Sequence, residues 1–179
     1  MAKETTRLDD FPILKELLNQ DTGFKRHYRQ EGGFVVTDFT ILDDVLTNMN
    51  RKLLELETPG RVIFVEFARD KYSTAIENFD RDVLKKSLLL YIYCPFDVCV
   101  KRNVRRFKEA GGKNLDDHIA PTDIMEKYYK NDDYEEAYLR SEGALKLRLP
   151  TSLVVVRNDV DSLEHLGNEI DKVMEFLKE

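Results

Sequence analysis

The chain has 179 residues, 42% of them hydrophobic, which suits one ordinary domain with a buried core. Charged residues make up 35% and the formal net charge is -6, so both signs are spread over a solvated surface and the basic excess of a general nucleic-acid binder is excluded. The two cysteines, Cys94 and Cys99, lie in an apolar stretch with no CxxC or Cys/His cluster, which argues against a zinc site or a disulfide framework and for buried thiols in a reducing cytoplasm.

The amino terminus, MAKETTRLDDF, is polar and carries no apolar signal-peptide core. Nowhere do about 18 apolar residues run together, so a cytoplasmic protein without a membrane partner is expected. Residues 1–31 offer one helix, FPILKELLNQ, behind Asp9 and Asp10, and no strand. FVVTDF from Phe34 is the first run with strand character. Over 40–56, Leu42, Val45, Leu46, Met49 and Leu53 share one helical face, with Thr40 as N-cap and Pro59-Gly60 as the stop.

VIFVEF from Val62 is near-continuously apolar, the pattern of a strand covered on both faces, yet it runs into Glu66 and Arg69. A buried strand that ends in charge has a reason for it, either a local ion pair or a ligand. Residues 72–86 form a helix that breaks near Asp80, and LLLYIY from Leu88 is the next strand. It leads into CPFDVCVKRNVRRF, where Pro95 starts a helix and Arg102 and Arg106, at i and i+4, project on one side beside Lys101 and Arg105. Guanidinium forks suit phosphate oxygens, although a solvated basic face is the plainer reading of such a run. KEAGGKNLDDHIAP, at 108–121, has the composition of a mobile loop. The last strand is SLVVV from Ser152, and the final helix has Asp161 as cap, Glu164 at the capping-box position and a stripe of Leu163, Leu166, Ile170, Val173, Met174 and Leu177.

Strands alternating with helices, at spacings too long for hairpins, predict right-handed crossovers and a single α/β domain over 1–179, a three-layer open parallel sheet with helices on both faces. Ligands of such sheets bind beyond the carboxyl ends of the strands. That rule selects Asp38, then Glu66 and Arg69, then the segment from Pro95, then Arg157, Asn158 and Asp159.

In order and spacing, VIFVEFAR, LLLYIYCPFDVCVKRNVRR, the loop at 108–121 and LVVVRNDVDSLEHLGNEI together resemble the P-loop nucleoside and nucleotide kinases, over most of residues 32–178. The resemblance implies an ATP- and magnesium-dependent phosphotransferase acting on a nucleoside, nucleotide or other small hydroxyl compound. In it, Asp38 would be the carboxylate that binds or deprotonates the acceptor hydroxyl, and Glu66 would hold magnesium through water or share the base role. Arg69 would orient the acceptor, and Arg102 and Arg106, with Arg105 beside them, would bind the transferring phosphates. Asn158 would contribute to the substrate side, and the loop at 108–121 would be the lid. For Asp38, a helix-capping turn before Thr40 is an equal alternative.

The pattern departs from the family at one point: the sequence has no GxxxxGK[ST] phosphate loop, and its one Gly-Lys pair, Gly112-Lys113, has no strand before it and no hydroxyl residue after it. The family's first, central strand is missing with it. Direct pairing of VIFVEF with LLLYIY, another segment in the gap, or a longer native chain would each resolve this, and the likeness of Arg7–Gly33 to the region after the family's phosphate loop favours the last. Weak or absent ATP binding is expected, and a homodimer could cover the apolar gap. A non-catalytic protein that holds an anionic metabolite with the same residues is the alternative function; a phosphohydrolase is a weaker third, since no GxSxG elbow is present.

Overall fold

The computed structural model describes residues 4–30, 33–110, 122–134 and 151–176. Most of the loop expected at 108–121 lies outside them; its first three residues continue a helix. The fold is mixed α/β with short parallel sheets, and the chain divides into two compact units, Met1–Val83 and Leu84–Glu179.

In the first unit, β1 (Glu4–Asp9) runs straight into α1 (Asp10–Gln20), and β2 (His27–Gln30) and β3 (Gly33–Val36) precede α2 (Ile41–Leu56) and β4 (Arg61–Glu66). A short α3 (Tyr72–Ala75) continues into a 3-10 turn, Ile76–Asn78. β1 pairs parallel with β4 in an uninterrupted register from Glu4 opposite Arg61 to Asp9 opposite Glu66. This corrects the expectation that the amino-terminal stretch offers only a helix. ETTRLD hides its strand because apolar alternation is nearly absent: Leu8 is its buried apolar residue, and the polar remainder is tied to β4 by the ladder and by Arg61 to Glu4 at 2.9 Å. β4 consequently has a parallel neighbour in this same chain.

The segment FVVTDF is also corrected. β3 stops at Val36 and pairs antiparallel with β2, so it is one arm of a hairpin rather than a doubly covered parallel strand. His27 is buried on this hairpin, with Nδ1 3.2 Å from Asp21 and its ring edge-on to Phe34. The unit's core is α2: Val45, Leu46 and Met49 are fully enclosed and Ile41 nearly so, on the face that the helical period selects. α1 packs against it through Ile13 and Leu18, and Lys52 reaches Glu16 at 3.4 Å.

α4 (Arg81–Lys85), after a break at Phe79 and Asp80, leads to the second unit, with β5 (Leu88–Tyr93), α5 (Phe96–Ala110), α6 (Thr122–Ile124) running into a π-helical turn at Met125–Tyr129, β6 (Ser152–Arg157) and α7 (Leu163–Phe176). β5 and β6 pair parallel from Leu88 opposite Ser152 to Tyr93 opposite Arg157. Tyr91 stacks on Tyr134 at 3.7 Å between centroids and donates to Asp132 at 2.6 Å, fixing the region after α6 onto β5.

The expected α7 stripe is only partly buried. Val173 is enclosed, but Leu163, Ile170 and Met174 are exposed among the described residues, and the position beside Val156 and Val173 in the buried set is taken by Glu169. Its carboxylate accepts the Arg157 N–H at 3.0 Å and pairs with Lys172, which supplies the partners a buried charge requires. No helix among the described residues is long and apolar enough to cross a membrane.

Candidate functional site

Both parallel pairs end at their carboxyl edges in networks of charge, and the residues expected at a site divide between them. Asp38, Glu66 and Arg69 belong to the first unit; Arg102, Arg105, Arg106 and Asn158 belong to the second.

At the β1–β4 edge, the parallel register sets Asp9 and Glu66 opposite each other. Arg7 bridges them, its Nε 2.8 Å from Glu66 and its Nη2 2.7 Å from Asp9. Glu66 is 63% exposed, so its carboxylate is presented to solvent with one guanidinium beside it. Asp9 has a second task as the N-cap of α1, accepting the Phe11 N–H at 2.9 Å. Sequence reasoning placed Asp9 in front of the helix but had no means of seeing it beside Glu66, because that neighbour comes from the strand that polar residues conceal.

Arg69 lies behind this edge and points inward. Only 4% of its side chain is exposed; Nη1 is 2.7 Å from Asp10 and also meets the Ala68 carbonyl, while Nη2 donates to the Leu42 carbonyl at 3.1 Å. The Arg69 Nε is buried with no hydrogen-bond partner among the described residues. Burial pushes the Asp10 carboxyl above the usual aspartate range even though Arg69 pulls the other way. Arg69 therefore joins α1, α2 and the segment after β4.

Asp38 sits after the hairpin. Its Oδ1 accepts the Thr40 N–H at 3.0 Å and the Thr40 hydroxyl at 2.7 Å, the geometry of an Asx turn opening α2. Arg26 lies 3.4 Å from its other oxygen and also binds Asp44 and Thr40. The Thr40 hydrogen bonds, with Arg26 as a smaller cause, hold the Asp38 carboxyl below its ordinary range, which makes it a weaker base.

At the β5–β6 edge the hub is Arg102. Its Nη1 donates to the Asn158 carbonyl at 2.7 Å and the Asn158 side-chain oxygen at 3.0 Å, and touches the Cys94 sulfur at 3.5 Å. Nε and Nη2 fork onto Asp161 at 3.1 and 2.9 Å, and Nη2 also reaches the Val160 carbonyl at 3.0 Å. Arg105 adds a bond to the other Asp161 oxygen at 3.1 Å. These two guanidinium groups pull the Asp161 carboxyl below the usual range. Asn158 is held in turn by its N–H on the Tyr93 carbonyl at 2.8 Å. Arg106, exposed, meets Asn103 at 3.5 Å. Val98, Lys101, Arg102, Arg105, Asp159 and Asp161 line a cleft of about 330 Å³ in which cationic and acidic side chains nearly balance.

The donor set fits the two expected cofactors unequally. Magnesium is commonly held by one or two carboxylates with water and ligand phosphates, and the paired Asp9 and Glu66 fit that outer-sphere role. Among the described residues there is no group of three or more acidic, histidine or cysteine side chains that would form an all-protein cage. ATP does not fit in the same way, since the sequence contains no GxxxxGK[ST] loop to receive its phosphates. The chain matches no family model, no curated protein and no solved structure.

Proposed function

We propose that the protein is a kinase-like phosphotransferase whose acceptor side is the carboxyl edge of β1 and β4, and whose ligand is a nucleotide or another phosphorylated small molecule. The observation that carries this reading is the in-register pair of half-buried Asp9 and exposed Glu66, bridged by Arg7 at the edge where parallel sheets bind ligands. Glu66 is the more accessible carboxylate and would accept the proton of an acceptor hydroxyl. Arg7 would exchange its carboxylate contact for a ligand phosphate, which offers the same planar fork two oxygens. Magnesium, when bound by Asp9 and Glu66 through water, would neutralise phosphate charge. No step through ATP is assigned to these residues, because the sequence contains no GxxxxGK[ST] loop to cradle its phosphates.

A second reading has its own support. Arg102 spends its donors on Asn158, Val160 and Asp161, and Asp38 spends its acceptors on Thr40, so two residues of the kinase pattern have structural employment. That favours a non-catalytic protein which holds an anionic metabolite. The two readings separate in one experiment: ADP release from ATP and magnesium across a panel of nucleosides, nucleoside monophosphates and sugars, with thermal-shift binding on the same panel. Acceptor-dependent turnover that Glu66→Gln abolishes supports the enzyme. Binding of a phosphorylated compound without turnover supports the second reading, and neither binding nor turnover overturns both.

A further inference from the structure

The residue after β5 and the first turn of the helix that follows each carry a thiol. Cys94 comes directly after the strand, and Pro95 starts a turn whose carbonyl accepts the N–H groups of Val98 and Cys99, both at 3.0 Å. This winding folds Cys99 back toward Cys94: its sulfur is 3.6 Å from the Cys94 carbonyl oxygen. Both are free and only partly buried. The Cys94 sulfur also touches the Arg102 guanidinium, the hub of the Asn158–Asp161 turn, so the thiol pair lies against the charged network of this edge.

We propose that Cys94 and Cys99 are a redox-active dithiol that closes to an intramolecular disulfide. The oxidant is a low-molecular-weight disulfide of the glutathione type. The Cys94 thiolate attacks one of its sulfurs, its S–S bond breaks, and one small thiol leaves. Cys99 then gives its proton to solvent and attacks the Cys94 sulfur, expelling the second small thiol. The protein loses two electrons and two protons in total, and the small disulfide gains both.

The order of attack follows from the environment. Burial first, and then the neighbouring Cys94, push the Cys99 thiol up to about 12, so Cys99 is the poorer first nucleophile and the resolving partner. Once Cys94 is in a mixed disulfide, its contribution to holding that proton is gone. The contact of the Cys99 sulfur with the Cys94 carbonyl keeps the two residues together at the junction of strand and helix, where closing the bond requires their Cβ atoms to come within about 3.5–4.5 Å.

The test is intact mass and thiol titration of the full chain after incubation with glutathione disulfide, then dithiothreitol. The expected wild-type result is loss of both titratable thiols, a mass lower by two hydrogens, no retained glutathionyl group, and full recovery on reduction. Cys99→Ser should keep one glutathionyl group on Cys94. Cys94→Ser should react much more slowly. A wild-type chain that retains a glutathionyl adduct, or keeps both thiols free, overturns the proposal, and this arm needs no variant to fold.

Discussion

Arg69 and Asp10 form a 2.7 Å ion pair between the segment after β4 and the first residue of α1, and Arg69 is almost wholly enclosed. A guanidinium in that setting is stable only while its partners are present, because an unpaired buried charge has no water to replace them.

Arg69→Ala is therefore expected to lower the unfolding free energy by about 3 kcal/mol, measured by urea denaturation. The double change Asp10→Leu with Arg69→Met should recover much of that loss, since a well-packed apolar pair of similar volume removes both charges together. Equal destabilisation by single and double variants would show that the pair adds nothing beyond packing.

Arg102→Ala should release the Asn158–Asp161 turn. Hydrogen exchange at the backbone amides of this turn should speed up, with a stability loss of about 2 kcal/mol, the scale of hydrogen bonds to a charged group. Arg102→Lys should not rescue it, because one ammonium cannot span Asn158 and Asp161 as the fork does. Arg106→Ala, at an exposed position, should stay within about 0.5 kcal/mol of the wild type.

Asp38→Ala should lower Tm by about 2–4 °C through loss of the turn that opens α2, and Asp38→Asn should restore most of it by keeping an acceptor for Thr40. If Asp38 is instead the general base, Asp38→Asn will keep its Tm and lose turnover. Measuring both quantities on the same variant separates the roles.

Acid should destabilise the fold. Asp21, Asp159, Asp161 and Glu169 are held below their ordinary values, Asp21 chiefly by the Arg26 N–H, Asp159 by Arg157, Asp161 by Arg102 and Glu169 by Lys172. A carboxyl depressed in the folded state stabilises it above the unfolded value, and that contribution disappears as pH falls through the folded one. Asp10 runs the other way: it favours the fold at low pH and loses that effect as pH rises through its raised value. The depressed groups outnumber it, so stability should fall on acidification below about pH 4. Asp161→Asn should flatten that slope in chemical denaturation across pH.

What could be read from residues alone follows a physical dividing line. The helices α2 and α5 are legible because each is long enough for its period to dominate, and the strands β4, β5 and β6 because each is a short, nearly unbroken apolar run; Thr40, Pro59-Gly60 and Pro95 mark their ends. β1 is not, since its pairing rests on backbone bonds and on Arg7 and Arg61, charges whose partners lie far along the chain. The hairpin arm β3 is indistinguishable in sequence from a parallel strand, because Phe34, Val35 and Val36 are apolar in either sheet context and periodicity does not separate the two. Glu66 was singled out by its place at a strand end; Asp9, its neighbour across the sheet, required the register.

The long separation between β1 and β4 also constrains when the first unit can form. Its ladder joins residues about as distant as Glu4 and Arg61, 57 positions apart, so β1 lacks the partner it has among the described residues until β4 has been synthesised. Until then α1 and α2 can associate through Ile13, Leu18 and the Val45–Met49 face, while ETTRLD stays unpaired. Local helical contacts should come first and the closing strand last, which places the ordering of Asp9 against Glu66 at the end of folding, after the large loop-closure entropy has been met.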